Sequence, residues 1–528
     1  MSGSLYKKVG IASVIMMASV FFSRLIGIVR EMVIAYIGGV GRGVDAYQVS
    51  FVIPEILNHL AASGFLSVTF IPIFSSYLAN GKEDDGWKVF SVVMTCFGGG
   101  LLALIFAAVI FAPRLVGLLA PGIDDPKVMA DAVRMTRIIL PAQFFFFTGG
   151  MFMAVQFAKE KFSFPALAPL VYNLGIIAGG VALGSRIGMD GFSWGVLAGS
   201  FAGNFALQYW GARKAGMRFV PTFDFRHPEL WAYIKLTLPL MLGLTMMFST
   251  EVFLKFFGSY LPGGGISALN YGLRIMLFLV GFFGQALGVA SFPFLARLAA
   301  ENRMPDMERL LNDALRYLSL VVPFSVLLIV LRYEIVILLF QRGRFDAAAT
   351  ELTARVLVWL MIGASAFAAQ TVVVRGFYAV KNTLLPALYG SLTVVFSLPL
   401  YLIGLRWMGV EGVALAVSLS AMLQVTILYL LWSRHTGNRD AGRVCGAYVR
   451  QILFAVPLVI ALSAIRNTLL AGLPATTPAN CLIIASIVGT VFLLLLVGAG
   501  YLLKVEEIMG TIGKVRARFT INNRRKAG

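Results

Sequence analysis

The sequence predicts an all-α, polytopic membrane protein with fourteen transmembrane helices. Three observations carry that expectation. Of the 528 residues, 59% are hydrophobic and 13% charged; apolar windows of spanning length recur almost end to end; and the basic residues crowd onto alternate connectors. Crossing a bilayer core takes about 20 mostly apolar residues in a helix. Fourteen such windows centre near residues 18, 60, 100, 145, 174, 200, 245, 280, 323, 363, 394, 420, 460 and 492.

The first window has a basic start, Lys7 and Lys8, but no small-residue cleavage site, and it runs on into "FFSRLIGIVRE" at 21–31. That pattern predicts a retained helix rather than a removable signal. The connector "IGGVGRG" at 37–43 follows no strand and reads as a turn, not a nucleotide loop. Counting onward, one set of alternate connectors holds Lys82, Lys88, Lys159, Lys161, Arg213, Lys214, Arg218, Arg226, Arg297, Arg303, Arg309, Lys381, Arg434, Arg439 and Arg443, besides a basic tail. The other set holds only Arg42, Arg114, Lys127, Arg186, Arg342, Arg344 and Arg406. Basic connectors stay on the cytoplasmic side. Both termini are therefore expected in the cytoplasm of a cell whose cytoplasmic (inner) membrane holds the chain. The net charge of +19 is explained by this distribution, so it does not mark a nucleic-acid binder. Cys96, Cys445 and Cys481 show neither metal nor disulfide spacing.

The chain resembles itself. "FIPIFSSYLANGKEDD" at 70–85 matches "SFPFLARLAAENRMPD" at 291–306, aligning Pro72 with Pro293. "FAKEKFSFPALAP" at 157–169 matches "YAVKNTLLPALYG" at 378–390 and aligns Pro165 with Pro386 at the same offset. Helices one to six thus recur as seven to twelve, and because six is even the repeat is parallel. The expected organisation is an N-terminal lobe over 1–220, a pseudo-symmetric C-terminal lobe over 221–440, two appended helices over 441–505 and a basic cytoplasmic tail over 506–528. Two such bundles meeting centrally are the usual setting of a transporter's substrate site.

No Walker A, H-E-x-x-H or G-x-S-x-G sequence occurs, so the reading is not of an enzyme and assigns no cofactor or metal. The informative residues are ionisable groups at membrane depth, which are costly and face bundle interiors or wet cavities. On the first helix Arg24, Gly27 and Glu31 share a face, with Arg30 pointing elsewhere; the alternative for Arg30 and Glu31 is that they snorkel at the helix end. Asp45 opens the second helix, where a carboxylate caps an N-terminus. Beyond it "PEILNH" supplies Glu55, Asn58 and His59; Glu55 and His59, at i and i+4, are placed to pair. Glu251 and Lys255 have the same spacing on the seventh helix. Arg274 lies inside the eighth, and Arg375 sits near enough to a cytoplasmic connector to snorkel. The excess of cations suits an anion, and the arginine fork suits phosphate.

"SRLIGIVRE", "VDAYQVSF", "GFLSVTFIPIFSSYL", "KFSFPALAPLVYNL", "QRGRFDAAAT" and "RGFYAVKNTLLP" together resemble the MurJ (MviN) family of lipid II flippases, within the multidrug/oligosaccharidyl-lipid/polysaccharide exporter superfamily. The resemblance runs from about residue 9 to 435. It implies two lobes around a cavity that opens alternately to each side, with the last two helices forming a groove for a polyprenyl tail. It implies substrate-binding roles for Arg24, Arg30, Asp45 and Arg274, the arginines meeting the diphosphate and sugar head. The partners it implies are the lipid-linked saccharide, membrane lipids and enzymes of cell-wall or polysaccharide synthesis. The transport energy would come from membrane potential, with or without a coupling ion. The chain departs from the family pattern where "NLLRRLFAEGAFS" is here "EILNHLAASGFLS", which places Asn58, His59 and Ser63 at charged positions, and where "YYADRL" is "NYGLRI". These departures keep open a different polyprenyl-linked glycan, an exopolysaccharide or O-antigen unit, and less so a cation-coupled drug exporter.

Overall fold

The computed structural model describes residues 2–59, 65–438, 440–469 and 471–502. Ser63 and the expected basic tail lie outside them. Among the described residues the chain is helical almost throughout and has no strand. In hydrocarbon no water replaces an unmade backbone hydrogen bond, so a chain this apolar satisfies its amides within helices.

The helices are α1 (Ser2–Gly38), α2 (Arg42–Ser50), α3 (Val52–Leu57), α4 (Phe65–Ala79), α5 (Glu83–Leu119), α6 (Pro126–Ile139), α7 (Ala142–Ala158), α8 (Ser163–Ile187), α9 (Asp190–Ser200), α10 (Leu207–Lys214) and α11 (Pro228–Gly258). They continue as α12 (Gly265–Val280), α13 (Ala286–Ala300), α14 (Met304–Leu318), α15 (Val321–Val330), α16 (Arg332–Leu339), α17 (Ala347–Ala379), α18 (Leu384–Met408), α19 (Val410–Thr436), α20 (Ala441–Ala464) and α21 (Pro478–Leu502). Local chemistry sets several starts. Asp125 accepts from the Lys127 amide ahead of Pro126, and His227 Nδ1 accepts from the Glu229 amide ahead of Pro228.

Ten helical spans among the described residues are long and apolar enough to cross a membrane. The four expected windows outside that set, near 18, 60, 200 and 245, fall on α1, on α2 to α4, on α9 to α10 and on α11. Here the helices carry charges, are diluted by glycine, serine and asparagine as in "DGFSWGVLAGSFAGN", or include residues outside the described set. A multi-pass helical membrane protein is established; fourteen is not the number these spans give.

Two compact units divide the chain: residues 1–268 with 342–349, and residues 269–341 with 350–528. Within the first unit α9 packs along α8 with backbones almost touching. A Cβ on Gly179 would fall 2.5 Å from the Gly195 Cα, closer than real Cβ atoms come. Small residues drive such pairing in membranes, where burying apolar area gains little because lipid is itself apolar. α1 lies on α8, and the Ser19 hydroxyl donates to the Ala166 carbonyl. Residues 342–349 close against the end of α1: the Arg344 amide donates to the Tyr36 carbonyl at 2.9 Å. Gly39 and Gly343 both adopt left-handed backbone there, φ +66° and +61°. Their missing side chains let the two turns interlock.

In the second unit α18 and α19 form the corresponding hairpin. α15 and α16 receive α20 and α21 through Val326, Val330, Leu458, Leu462, Val488 and Phe492. The internal repeat is visible in the turns. Left-handed residues recur at the offset of the proline pairs: Gly81 with Asn302, Glu160 with Lys381, and Gly188 with Gly409. The last pair, joining α8 to α9 and α18 to α19, has φ, ψ of 59°, −134° and 58°, −126°.

Candidate functional site

Arg30 emerges from α1 beside α8. One guanidinium nitrogen meets Glu31 Oε1 at 2.7 Å and the other meets Asn173 Oδ1 at 2.9 Å; Asn173 in turn donates to the Pro169 carbonyl. Glu31 is buried. This is not the snorkelling alternative: the charges turn into the first unit, where an unpaired one would be costly. Arg24, two turns earlier, is exposed and makes no side-chain bond among the described residues. Asn173 was missed by the sequence reading; its signal was a lone amide in the apolar "PLVYNL".

Asp45 is buried and caps a helix, but not its own. Its two oxygens accept from the Gly264 and Ser267 amides, at 2.5 and 2.7 Å, across the first turn of α12. Those amides have no partner inside the helix, and a carboxylate there also opposes the positive end of the dipole. In this conformation both oxygens are engaged by protein.

The expected i, i+4 neighbours have partners that spacing does not give. His59 Nδ1 lies 2.7 Å from the main-chain carbonyl of Glu55. The Glu55 carboxylate meets Lys255 Nζ at 2.9 Å. Lys255, 5% exposed, thus has a bond across to α3 beyond its helical neighbour Glu251. A cross-helix partner that shares the lysine's burial stabilises its charge. Asn58, half-buried, occupies the same stretch.

In the second unit Arg274 is half-buried on α12. Arg375 does not reach for the connector. Its guanidinium lies against Gly288 and donates to Gln285 Oε1 at 3.2 Å. The reading also missed Glu334, 0% exposed, which accepts from Arg466 at 2.8 Å and ties α16 to the turn after α20. Both were ionisable residues in apolar surroundings, "RYEIVILL" and "SAIRNTLL", and so carried a signal. No group of three or more His, Cys, Asp or Glu among the described residues is placed to hold a metal.

A multi-span helical chain with an internal parallel repeat and paired charges at membrane depth has the architecture of a secondary transporter. Solved structures agree on the fold. One titled "Lipid II flippase MurJ, inward closed conformation" superposes with a TM-score of 0.75 at 23% identity, over 91% of this chain and 98% of that one. A multidrug resistance MATE family transporter of the MOP superfamily gives 0.61 at 16% identity, over 80% and 95%. The fold is that of the MOP transporters. Among curated relatives, the "Probable lipid II flippase MurJ" of Thermotoga maritima is 27% identical over 92% of this chain and 95% of its own length. That of Rhizobium meliloti is 27% identical over 87% of each. The "Lipid II flippase MurJ" of Burkholderia cenocepacia is 27% identical over 77% and 80%. The family model described as "Lipid II flippase MurJ" matches residues 34–483, and the chain belongs to that family.

Proposed function

We infer that this protein is a flippase that carries lipid II, the undecaprenyl-diphosphate-linked peptidoglycan precursor, from the inner to the outer leaflet by alternating access. The match of the family model across residues 34–483 carries this reading. The charges at membrane depth give it chemistry. Arg24, Arg30 and Arg274 bind the diphosphate and sugar head, and Arg24, exposed and without a partner among the described residues, makes the first contact. An exposed arginine in an apolar helix is thereby explained: the counter-charge of Arg24 arrives with the cargo. Arg30 changes partner in the cycle, releasing Glu31 and Asn173 for phosphate oxygens that its two nitrogens meet together. Asp45 acts through the α12 start that it caps, by holding the helix that carries Arg274.

The lobes are residues 1–220 and 221–440, the pair of helices over 441–505 houses the lipid tail, and both termini are cytoplasmic. No nucleotide motif is available, so the membrane potential drives transport, worth about 2.3 kcal/mol per charge per 100 mV. The test is rescue of a bacterium whose own lipid II flippase is depleted. Growth establishes lipid II as cargo; failure of a folded, inserted chain overturns it. One observation favours a second cargo, another polyprenyl-diphosphate-linked glycan. The family's basic pair is replaced by Asn58 and His59, and Lys255 is held by Glu55 rather than left open to an anion. A non-rescuing chain that flips such a glycan in vesicles establishes this reading instead.

A further inference from the structure

Three stretches of the cation-poor connectors converge in the first unit: the glycine-rich turn at 37–43, the turn from α8 to α9, and the stretch that holds Arg344. Between them and α6 lies a cavity of about 400 Å³, and its lining carries charges of both signs. Asp131 and Asp190 both meet Arg134 at 2.8 Å, so two carboxylates share one guanidinium and that wall keeps a negative charge in excess. Asp190 Oδ1 is buried and accepts from no donor among the described residues. Arg42 is matched at 2.7 Å by Asp125, which lies outside the lining. Arg344 is exposed, lines the cavity and enters no ion pair among the described residues. The start of α2 meets the same space through Gly41 and Gly43, and no side chain caps it, so its first amides lack a side-chain acceptor. Counting Asp125, the charges of the cavity cancel, but they are separated: an unmatched cation and an uncapped helix start in one part, an acidic wall short of a donor in another.

We propose that this cavity binds the head group of phosphatidylethanolamine in the outer leaflet, the ammonium pairing with the wall of Asp131 and Asp190 and the phosphate accepting from Arg344 and the first amides of α2. A zwitterion complements charges that cancel overall yet stand apart. An acidic phospholipid brings no cation for the carboxylates, and the quaternary nitrogen of choline has no N–H to supply the missing donor. The phosphate arm uses what arginine and a helix start both offer an anion. Ile187, in the lining, is 43% exposed and Val181, also on α8, 61%, so the edge of the cavity continues onto an apolar surface along which an acyl chain lies. Arg24, Arg30, Asp45 and Arg274 are absent from the lining, so the site stands whether or not lipid II is the cargo.

The test is to hold the full-length protein in nanodiscs of equal phosphatidylethanolamine, phosphatidylglycerol and phosphatidylcholine and to count the lipids it retains by mass spectrometry of the intact chain. The wild type is expected to retain phosphatidylethanolamine roughly tenfold over either other lipid, the factor that one hydrogen bond to a charged group supplies. Arg344→Gln, at an exposed and unpaired side chain, is expected to remove that preference. Asp190→Asn takes away the excess negative charge and is expected to turn the preference to phosphatidylglycerol, a swap that loss of the Arg134 contact does not by itself produce. Equal retention of the three lipids by the wild type overturns the proposal, as does an unchanged lipid ratio in folded Arg344→Gln or folded Asp190→Asn. Displacement of the retained lipid by millimolar alanine overturns it too, since a free amino acid is then the zwitterion that the cavity holds.

Discussion

Lys255 and Glu55 show what a single buried pair decides. Taking two charges out of water is repaid only while both remain, and removing one partner of a buried pair costs about 3–5 kcal/mol. Glu55→Gln is therefore expected to lower the thermal unfolding midpoint in detergent, and Glu55→Gln combined with Lys255→Met to restore most of the loss. A double variant no more stable than the single one would show that the contact at 2.9 Å contributes nothing. Arg274→Ala belongs to the same scale but to function: lipid II transport in sealed vesicles is expected to fall at least a hundredfold with expression intact, as loss of a charge-assisted phosphate contact implies. Undiminished flipping would remove Arg274 from the headgroup site.

In the first unit several helices meet on glycine and polar contacts, because lipid supplies no hydrophobic drive between them. The α8–α9 seam is the sharpest case. Gly179→Val puts branched carbon where the Gly195 backbone already lies, at a cost of about 1–3 kcal/mol or more. Folded yield after detergent extraction is expected to drop, whereas Gly150→Ala, with nothing within 4 Å of its Cβ, leaves yield unchanged. The interlocked turns at 36–39 and 342–344 make a second element-scale case. Gly343→Ala imposes a left-handed strain and a Cβ 2.4 Å from the Tyr36 carbonyl, so the Arg344 amide bond should break. Hydrogen exchange is expected to rise over 342–349 and over 36–45, with the α18–α19 hairpin unaffected; unchanged protection would mean the clasp holds without this bond.

At the scale of the molecule, the proposed drive by membrane potential makes a prediction of its own. Collapsing the membrane potential is expected to slow lipid II flipping in sealed vesicles at least tenfold, the amount about 60 mV acting on one charge would supply. A rate indifferent to potential and to ion gradients alike would exclude that energy source. Much of the fold was legible beforehand. Apolar length gave a polytopic helical membrane protein, and the Pro72/Pro293 and Pro165/Pro386 pairs announced a repeat that the left-handed turns at Gly188 and Gly409 reproduce. Motifs spread along the chain pointed to the family that the match over 34–483 identifies. These features are local or periodic, and a one-dimensional string preserves both. Which residues hold which charges was not legible. Spacing set Glu55 beside His59 and Glu251 beside Lys255, and let Arg375 snorkel, but it held no sign that the helices bring Lys255 to Glu55, Arg30 to Asn173, Asp45 to α12 and Arg375 to Gln285. The sequence determined that these charges lie in an apolar chain and need partners; only the tertiary structure decided the partners, because a buried charge is stabilised by whatever packing places within about 3 Å of it, however distant in sequence.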